Sequence, residues 1–299
     1  MLARIPPEVR RGVEATLGAR TGRPARLVSA RPVGGGCVSA VARLETEAGD
    51  VAFLKWSPPG DRCHGLFEAE ARSLEALRAA GAITVPAVLG VSDPDWLLVE
   101  WLEPGRPTPR TWSALGRALA RLHRTSGERY GWPLDNFIGT LPQVNGWSDD
   151  WPSFWRERRL LPQLERAYRG GYFSSADRRL FDRLLSRLDD LLADAAADGP
   201  SLLHGDLWSG NVHVLADGSP ALIDPSSYYG HREVDLAMSE LFGGFGAEFY
   251  RAYDEEWPVD AGYRSVRRGI YQLYYLLVHV NLFGGSYVAG TLNVLRSIG

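Results

Sequence analysis

Lysine is almost missing from this 299-residue chain: Lys+Arg total 33, and every one of them except Lys55 is arginine. Such a bias fits a GC-rich genome, and a position that keeps lysine against it calls for an ammonium, a compact point charge on a flexible stem, rather than a guanidinium. Cysteine is equally scarce. Two residues, Cys37 and Cys63, exclude a disulfide framework. No run of about eighteen apolar residues occurs, which excludes a spanning helix. The opening stretch MLARIPPEVRRGVEATLG lacks the apolar centre of a signal peptide, so the cytoplasm is the expected location. The net charge is -3 and no long basic run exists, so neither nucleic acid nor an anionic membrane is expected as a partner. Internal repeats and low-complexity segments are absent too.

What is present is organised around His204-Gly205-Asp206-Leu207-Trp208-Ser209-Gly210-Asn211. Apolar Leu202-Leu203 leads into it. Val212-His213-Val214-Leu215, a turn at Asp217-Gly218, and Ala221-Leu222-Ile223 follow, ending at Asp224-Pro225. Two short strands around an Asp-Gly turn form a ribbon. A carboxylate and a carboxamide precede this ribbon and a second carboxylate closes it, so all three can meet at one end. Phosphoryl transfer needs that set: one carboxylate to take the proton of an attacking hydroxyl, and an Asn with a second Asp to hold magnesium against nucleotide phosphates. Asp-x-x-x-x-Asn is also the spacing of the kinase catalytic loop. Asp206 is therefore the candidate base, and Asn211 and Asp224 are the candidate metal ligands, with ATP and Mg2+ as cofactors. The competing reading is a surface loop whose Asp and Asn make turns; the ordered occurrence of loop, hairpin and closing Asp weighs against it.

Upstream, a helix is expected over 6–19 and strands over 25–33, 37–44 and 51–56. Gly34-Gly35-Gly36, between the first two strands, would let backbone amides approach phosphate, or would simply be a flexible hairpin tip. The third strand, Val51 to Trp56, carries Lys55. In a kinase lobe that lysine binds the α- and β-phosphates and pairs with a helix glutamate. A helix over 65–80 offers Glu68, Glu70 and Glu75 as the partner. Strands over 87–91 and 96–101 lead into Glu100-Trp101-Leu102-Glu103-Pro104-Gly105, either a plain loop or a hinge where backbone groups of Glu100 and Leu102 take adenine.

Downstream the pattern is helical over 112–124, 149–169, 174–197, 246–256, 260–282 and 288–298, with a loop-rich segment over 130–151. His123 reads as a capping or packing residue. Asp235 stands where kinase-like folds bury an acid that steadies the catalytic loop.

Several segments resemble the fructosamine-3-kinase (ketosamine kinase) family, within the wider aminoglycoside- and choline-kinase-like group. They are Gly34-Gly35-Gly36-Cys37, Lys55, Phe67-Glu68-Ala69-Glu70-Ala71, NFIGTLPQVNGW from Asn136, WPSFWRERRLLPQ from Trp151, His204 to Asn211, Asp224 to Gly230, and Tyr271 to Tyr287. The resemblance implies an α+β, bilobal protein-kinase-like fold. Its small lobe, an antiparallel sheet plus helix, would span residues 1–100, and a mainly helical lobe residues 101–299. It implies ATP-dependent phosphorylation of the 3-hydroxyl of a ketosamine, free or on a glycated protein, by a monomer or homodimer. It favours Glu70 over Glu68 as the Lys55 partner, because Glu70 lies four and seven residues before Leu74 and Leu77, as in antibiotic-kinase relatives. Where protein kinases usually carry lysine two residues after the base, this chain has Trp208, whose face suits the C–H face of a sugar; packing is its alternative. His279, Asn281 and the Asn136–Trp147 loop are candidate substrate contacts by resemblance, against an alternative of aromatic core packing. Cys37, beside the glycines, is either a redox-sensitive thiol able to join two chains or a small apolar strand residue.

Overall fold

The computed structural model describes residues 2–34, 39–58, 60 and 62–298. Gly35, Gly36 and Cys37 therefore lie outside the described residues. Helix α1 (Pro7–Thr21) opens on a proline, where a missing N–H costs nothing, and Gly22 closes it in the left-handed conformation at φ 70°. That glycine lets the helix run two residues past the expected end.

Strands β1 (Leu27–Pro32), β2 (Ala40–Thr46), β3 (Val51–Trp56), β4 (Val88–Ser92) and β5 (Trp96–Glu100) form an antiparallel sheet in the order β1-β2-β3-β5-β4. Helix α2 (Leu66–Ala80) lies between β3 and β4 in sequence. Side chains alternate across a strand, and the two faces have different covers. Trp96 and Leu98, with Ala52, Leu54 and Trp56, pack with Val9, Val13 and Leu17 of α1. Leu97 and Val99, with Phe53, pack with Phe67, Ala71, Leu74 and Leu77 of α2. Lys55 shares the face of Phe53, two residues away. The pleat therefore aims the chain's one lysine toward the α2 side.

Two backbone ties join the segments before β4 and after β5 to the hairpin that follows the central motif. Gly105 N–H donates to the Val214 carbonyl at 2.7 Å, and Leu222 N–H donates to the Thr84 carbonyl at 2.9 Å. A Cβ at Gly105 would overlap the Leu215 carbonyl, so this crossing needs glycine. Helix α3 (Pro109–His123) starts on a Thr108–Thr111 capping box. The segment expected to be loop contains a hairpin, β6 (Asn136–Ile138) and β7 (Leu141–Gln143).

Two long helices expected from periodicity are broken. Residues 151–169 run as α4 (Trp151–Phe154), a π-helical stretch from Trp155 to Leu160, and α5 (Leu161–Arg169). Pro162 explains the disturbance: it offers no N–H to the Arg158 carbonyl, and Arg159 Nη1 donates to that carbonyl instead at 3.1 Å. Residues 175–198 form α6 (Ser175–Leu185), α7 (Leu188–Leu191) and a 3-10 turn. At the break, Arg156 Nε donates to the Leu185 carbonyl, a tertiary contact that local pattern cannot reveal.

The remainder is β8 (Ser201–Leu202), β9 (Val212–Val214), β10 (Pro220–Leu222), β11 (Tyr229–Gly230), α8 (Glu233–Leu241), α9 (Ala247–Glu256), α10 (Arg268–Phe283) and α11 (Val288–Ile298). A π stretch, Tyr263–Arg267, precedes α10. Among the described residues no helix is long and apolar enough to cross a membrane.

Candidate active site

The central motif leaves β8 and reaches β9 as an irregular segment. It is built against residues 223–228 by backbone pairing: Leu203 N–H to the Tyr228 carbonyl and Ser226 N–H to the His204 carbonyl. Asp235, at the start of α8, accepts from His204 N–H at 2.8 Å and Gly205 N–H at 2.9 Å. Its carboxylate also meets buried His123 Nε2 at 3.2 Å. Burial alone would raise the Asp235 carboxyl; its hydrogen bond with His123, the nearby His123 and His204 imidazoles and the Gly205 N–H outweigh that and hold it below the usual range. Both expectations here stand: Asp235 steadies the loop, and His123 is a packing residue.

Gly205 is held on three sides. Its φ is 84°, its carbonyl accepts from Tyr275 Oη at 2.9 Å, and a Cβ would overlap the Ser226 carbonyl. Gly205→Ala is therefore expected to cost about 3 kcal/mol, combining left-handed strain with a backbone collision. Urea unfolding would measure it, and a loss below about 0.5 kcal/mol would contradict the packing.

Asp206 follows. The Asn211 carboxamide donates to its backbone carbonyl at 2.8 Å and to its Oδ2 at 3.2 Å. Burial pushes the Asp206 carboxyl up to about 7, the nearby Asp224 charge adds to this, and the Asn211 bond opposes it. Asp224 has φ 55° and is the one non-glycine with positive φ among the described residues. Backbone strain of this kind persists where surroundings over-determine it, and it collects at functional sites.

Lys55 ties the sheet to this site. Its Nζ lies 2.6 Å from Glu70 Oε1 and 2.6 Å from Asp224 Oδ1. Burial would lower its pKa, but the two carboxylates outweigh that and raise it, so the ammonium stays charged. Glu70 is the partner, and burial pushes its carboxyl up against the pull of Lys55. Glu68 pairs instead with Arg72 on the outer face.

Lys55, Glu70, Asp206, Asn211 and Asp224 thus converge. The other candidates divide. Gly34 is exposed two residues past β1, with nothing within 4 Å of a Cβ built on it. Glu100 has its N–H bonded to the Ala87 carbonyl and its side chain accepting from Ala87 N–H, so that N–H is already used, while Leu102 is half-buried in the connecting segment. Trp208 is 40% exposed and its ring lies over Gly210. His279, one turn along α10 from Tyr275, donates Nδ1–H to the Tyr275 carbonyl and sits among Phe242, Phe283 and Tyr287. The Asn281 carboxamide is turned away to Gln163 on α5 at 2.8 Å, a bond its sequence position does not foretell.

Sequence reasoning missed the Tyr275–Gly205 bond and the Ser73 hydroxyl that accepts from Ser227 N–H at 3.3 Å. A tyrosine and a serine on apolar helix stripes were the available signals. The set also passes a chemical test for magnesium. Asn211 and Asp224 supply hard oxygen donors, and Mg2+ commonly takes few protein ligands and completes its shell with water and phosphate. Among the described residues no group of three or more His, Cys, Asp or Glu is arranged to hold a metal.

An antiparallel sheet with an ion-paired strand lysine, packed on a helical part that carries Asp-x-x-x-x-Asn, defines a protein-kinase-like phosphotransferase. The particular branch follows from comparison. The chain belongs to the fructosamine kinase family, whose sequence model matches residues 10–298. A Synechocystis protein named "Probable ketoamine kinase" is 41% identical over 89% of this chain and 89% of its own. The chloroplastic protein-ribulosamine 3-kinase of Oryza sativa subsp. indica is 36% identical over 92% of this chain and 80% of its own. A Thermobifida fusca crystal structure, provisionally assigned as a fructosamine-3-kinase, superposes with a TM-score of 0.86 at 36% identity, covering 96% of this chain and 98% of that one. A choline kinase from Streptococcus pneumoniae, at 15% identity and TM-score 0.60, shares the fold over 97% of this chain and 99% of its own.

Proposed function

We propose that this enzyme transfers the γ-phosphoryl group of ATP to the 3-hydroxyl of a ketosamine, a sugar joined through C1 to an amine, free or on a glycated protein. The observation that carries this reading is the convergence of Lys55–Glu70 with Asp206, Asn211 and Asp224 in a member of this family. Residues 1–100 would form the nucleotide-binding lobe and residues 101–299 the catalytic and acceptor lobe, working in the cytoplasm.

Lys55 would hold the α- and β-phosphates, with Glu70 fixing its ammonium. Magnesium, held by Asn211 and Asp224, would neutralise phosphate charge as it shifts toward the leaving oxygen. Asp206 would accept the proton of the sugar hydroxyl as that oxygen bonds to the γ-phosphorus and the β–γ bridging bond breaks, releasing ADP. Burial raises the Asp206 carboxyl, which makes it a stronger base for that proton transfer. A 3-phosphate next to the ketone C2 makes the adduct prone to elimination, which would return the amine and make this a deglycation step.

Trp208 supports a sugar acceptor. Its exposed ring, two residues after the base, offers an apolar face where protein kinases present a charge. Trp208→Ala is expected to raise KM for the ketosamine about tenfold and leave KM for ATP within twofold. Equal changes in both would remove Trp208 from the acceptor site. The function itself is tested by coupled ADP release with fructosyllysine, ribulosyllysine, choline and an aminoglycoside. Turnover confined to the two ketosamines supports the reading, and turnover on either of the others in their place would overturn it.

A further inference from the structure

The Asn136–Trp147 loop, a candidate substrate contact by resemblance, turns its polar side chains inward. Asn136, Gln143 and Asn145 are 3%, 1% and 0% exposed. Burying three carboxamides together is costly unless they satisfy one another, and here they form a chain. Tyr274 Oη, on α10, donates to Gln143 Oε1 at 2.6 Å. Gln143 Nε2 donates to Asn136 Oδ1 at 2.8 Å and more weakly to the Ser226 carbonyl at 3.4 Å. Asn136 Nδ2 donates to the Ser227 carbonyl at 2.9 Å. Asn145 Nδ2 supplies Asn136 Oδ1 with a second donor, also at 2.8 Å. Arg159, buried by the π-helical stretch, donates Nη2 to Asn145 Oδ1 at 2.7 Å, and its guanidinium lies 3.9 Å from the Tyr228 ring centre.

The far end of the chain is the functional point. Ser226 and Ser227 stand two and three residues after Asp224, the residue in strained φ. Their carbonyls take Gln143 and Asn136, while Ser227 N–H goes to Ser73 on α2, three residues past Glu70. The backbone leaving Asp224 is thereby fixed between the helix that holds Lys55's partner and a ladder anchored on α10. We infer that Asn136 and Gln143 are positioning residues for Asp224: they set the backbone that aims its carboxylate at Lys55. Both carboxamides are buried and spend their hydrogen bonds on each other and on the Ser226 and Ser227 carbonyls. Outer-shell partners of this kind commonly change metal affinity by ten- to a hundredfold.

This rests on Asp224 acting as a magnesium ligand, so the test separates the two ideas. The full chain, Asn136→Ala and Tyr274→Phe are titrated with a fluorescent ATP analogue, with and without Mg2+, after thermal melts confirm folding. Without Mg2+ all three bind alike within about twofold. Mg2+ tightens binding to the wild type, and this tightening falls about tenfold in Asn136→Ala and about threefold in Tyr274→Phe. The kcat falls in step, with KM for the ketosamine unchanged. A merely structural ladder would lower the melting temperature and leave the Mg2+ effect intact, and that result overturns the inference. If Asn136→Ala does not fold, Tyr274→Phe, one oxygen smaller than the wild type, decides by the same readout. Absence of any Mg2+ effect in the wild type overturns the metal role of Asp224 itself, and the inference with it.

Discussion

Lys55→Arg is expected to lower kcat/KM by about a hundredfold or more, with most of the loss in kcat. In a chain that uses arginine for every other basic side chain, this is the substitution composition alone would tolerate best. Geometry forbids it. Nζ sits 2.6 Å from both Glu70 and Asp224 on a side chain that is 10% exposed. A planar fork with five donors is wider than a point charge and holds carboxylates in its own plane. Arginine would therefore displace the Asp224 carboxylate or leave the pair with Glu70. Steady-state kinetics with melting curves would show the effect. Activity within threefold of wild type would mean that the ammonium is not required.

Asp206→Asn is expected to cut kcat by about a thousandfold, within the range for removing a general base, while making the nucleotide-free protein more stable. The sign follows from the raised pKa. The folded state keeps a proton on Asp206 up to about 7, whereas the unfolded chain releases it near the ordinary aspartate value of 3.8. Between those values the folded state binds more protons, so its stability falls as pH rises through them and levels off above about 7. Asparagine carries no such penalty. The variant's advantage should therefore be absent below pH 4, grow across the window, and reach about 2 kcal/mol above pH 7 once solvent screening at a partly open site is allowed for. Urea unfolding at several pH values would show this. A variant less stable than wild type at pH 8 would contradict the burial that raises the carboxyl. Function kept at a cost in stability is the usual trade at such sites.

The core of the site was legible because few residue types can perform it and their spacing survives folding. Asp206, Asn211 and Asp224 bracket one hairpin, and a hairpin's ends meet whatever surrounds it. Lys55 was legible by scarcity, and strand parity then fixed its face. The Glu70 assignment came from the resemblance, through a spacing to Leu74 and Leu77 shared with antibiotic-kinase relatives, and holds in space. What escaped was tertiary. The break after Leu185 depends on Arg156 from another helix. Asn281 faces Gln163, a partner 118 residues away. The Asn136–Gln143–Asn145 ladder reads in sequence as polar loop, because carboxamides that satisfy one another look the same as carboxamides that face water. Pro162, by contrast, was visible inside an expected helix, and its effect on the preceding turn follows from its missing N–H.

The most direct measurement is phosphorus NMR of the product made from Mg2+-ATP and fructosyllysine by the wild type and by Asp206→Asn. A 3-phosphate ester formed by the wild type and lost in the variant is the result expected if Asp206 deprotonates the 3-hydroxyl beside Lys55 and Asp224. An ester at another hydroxyl, or equal yield from the variant, would contradict it.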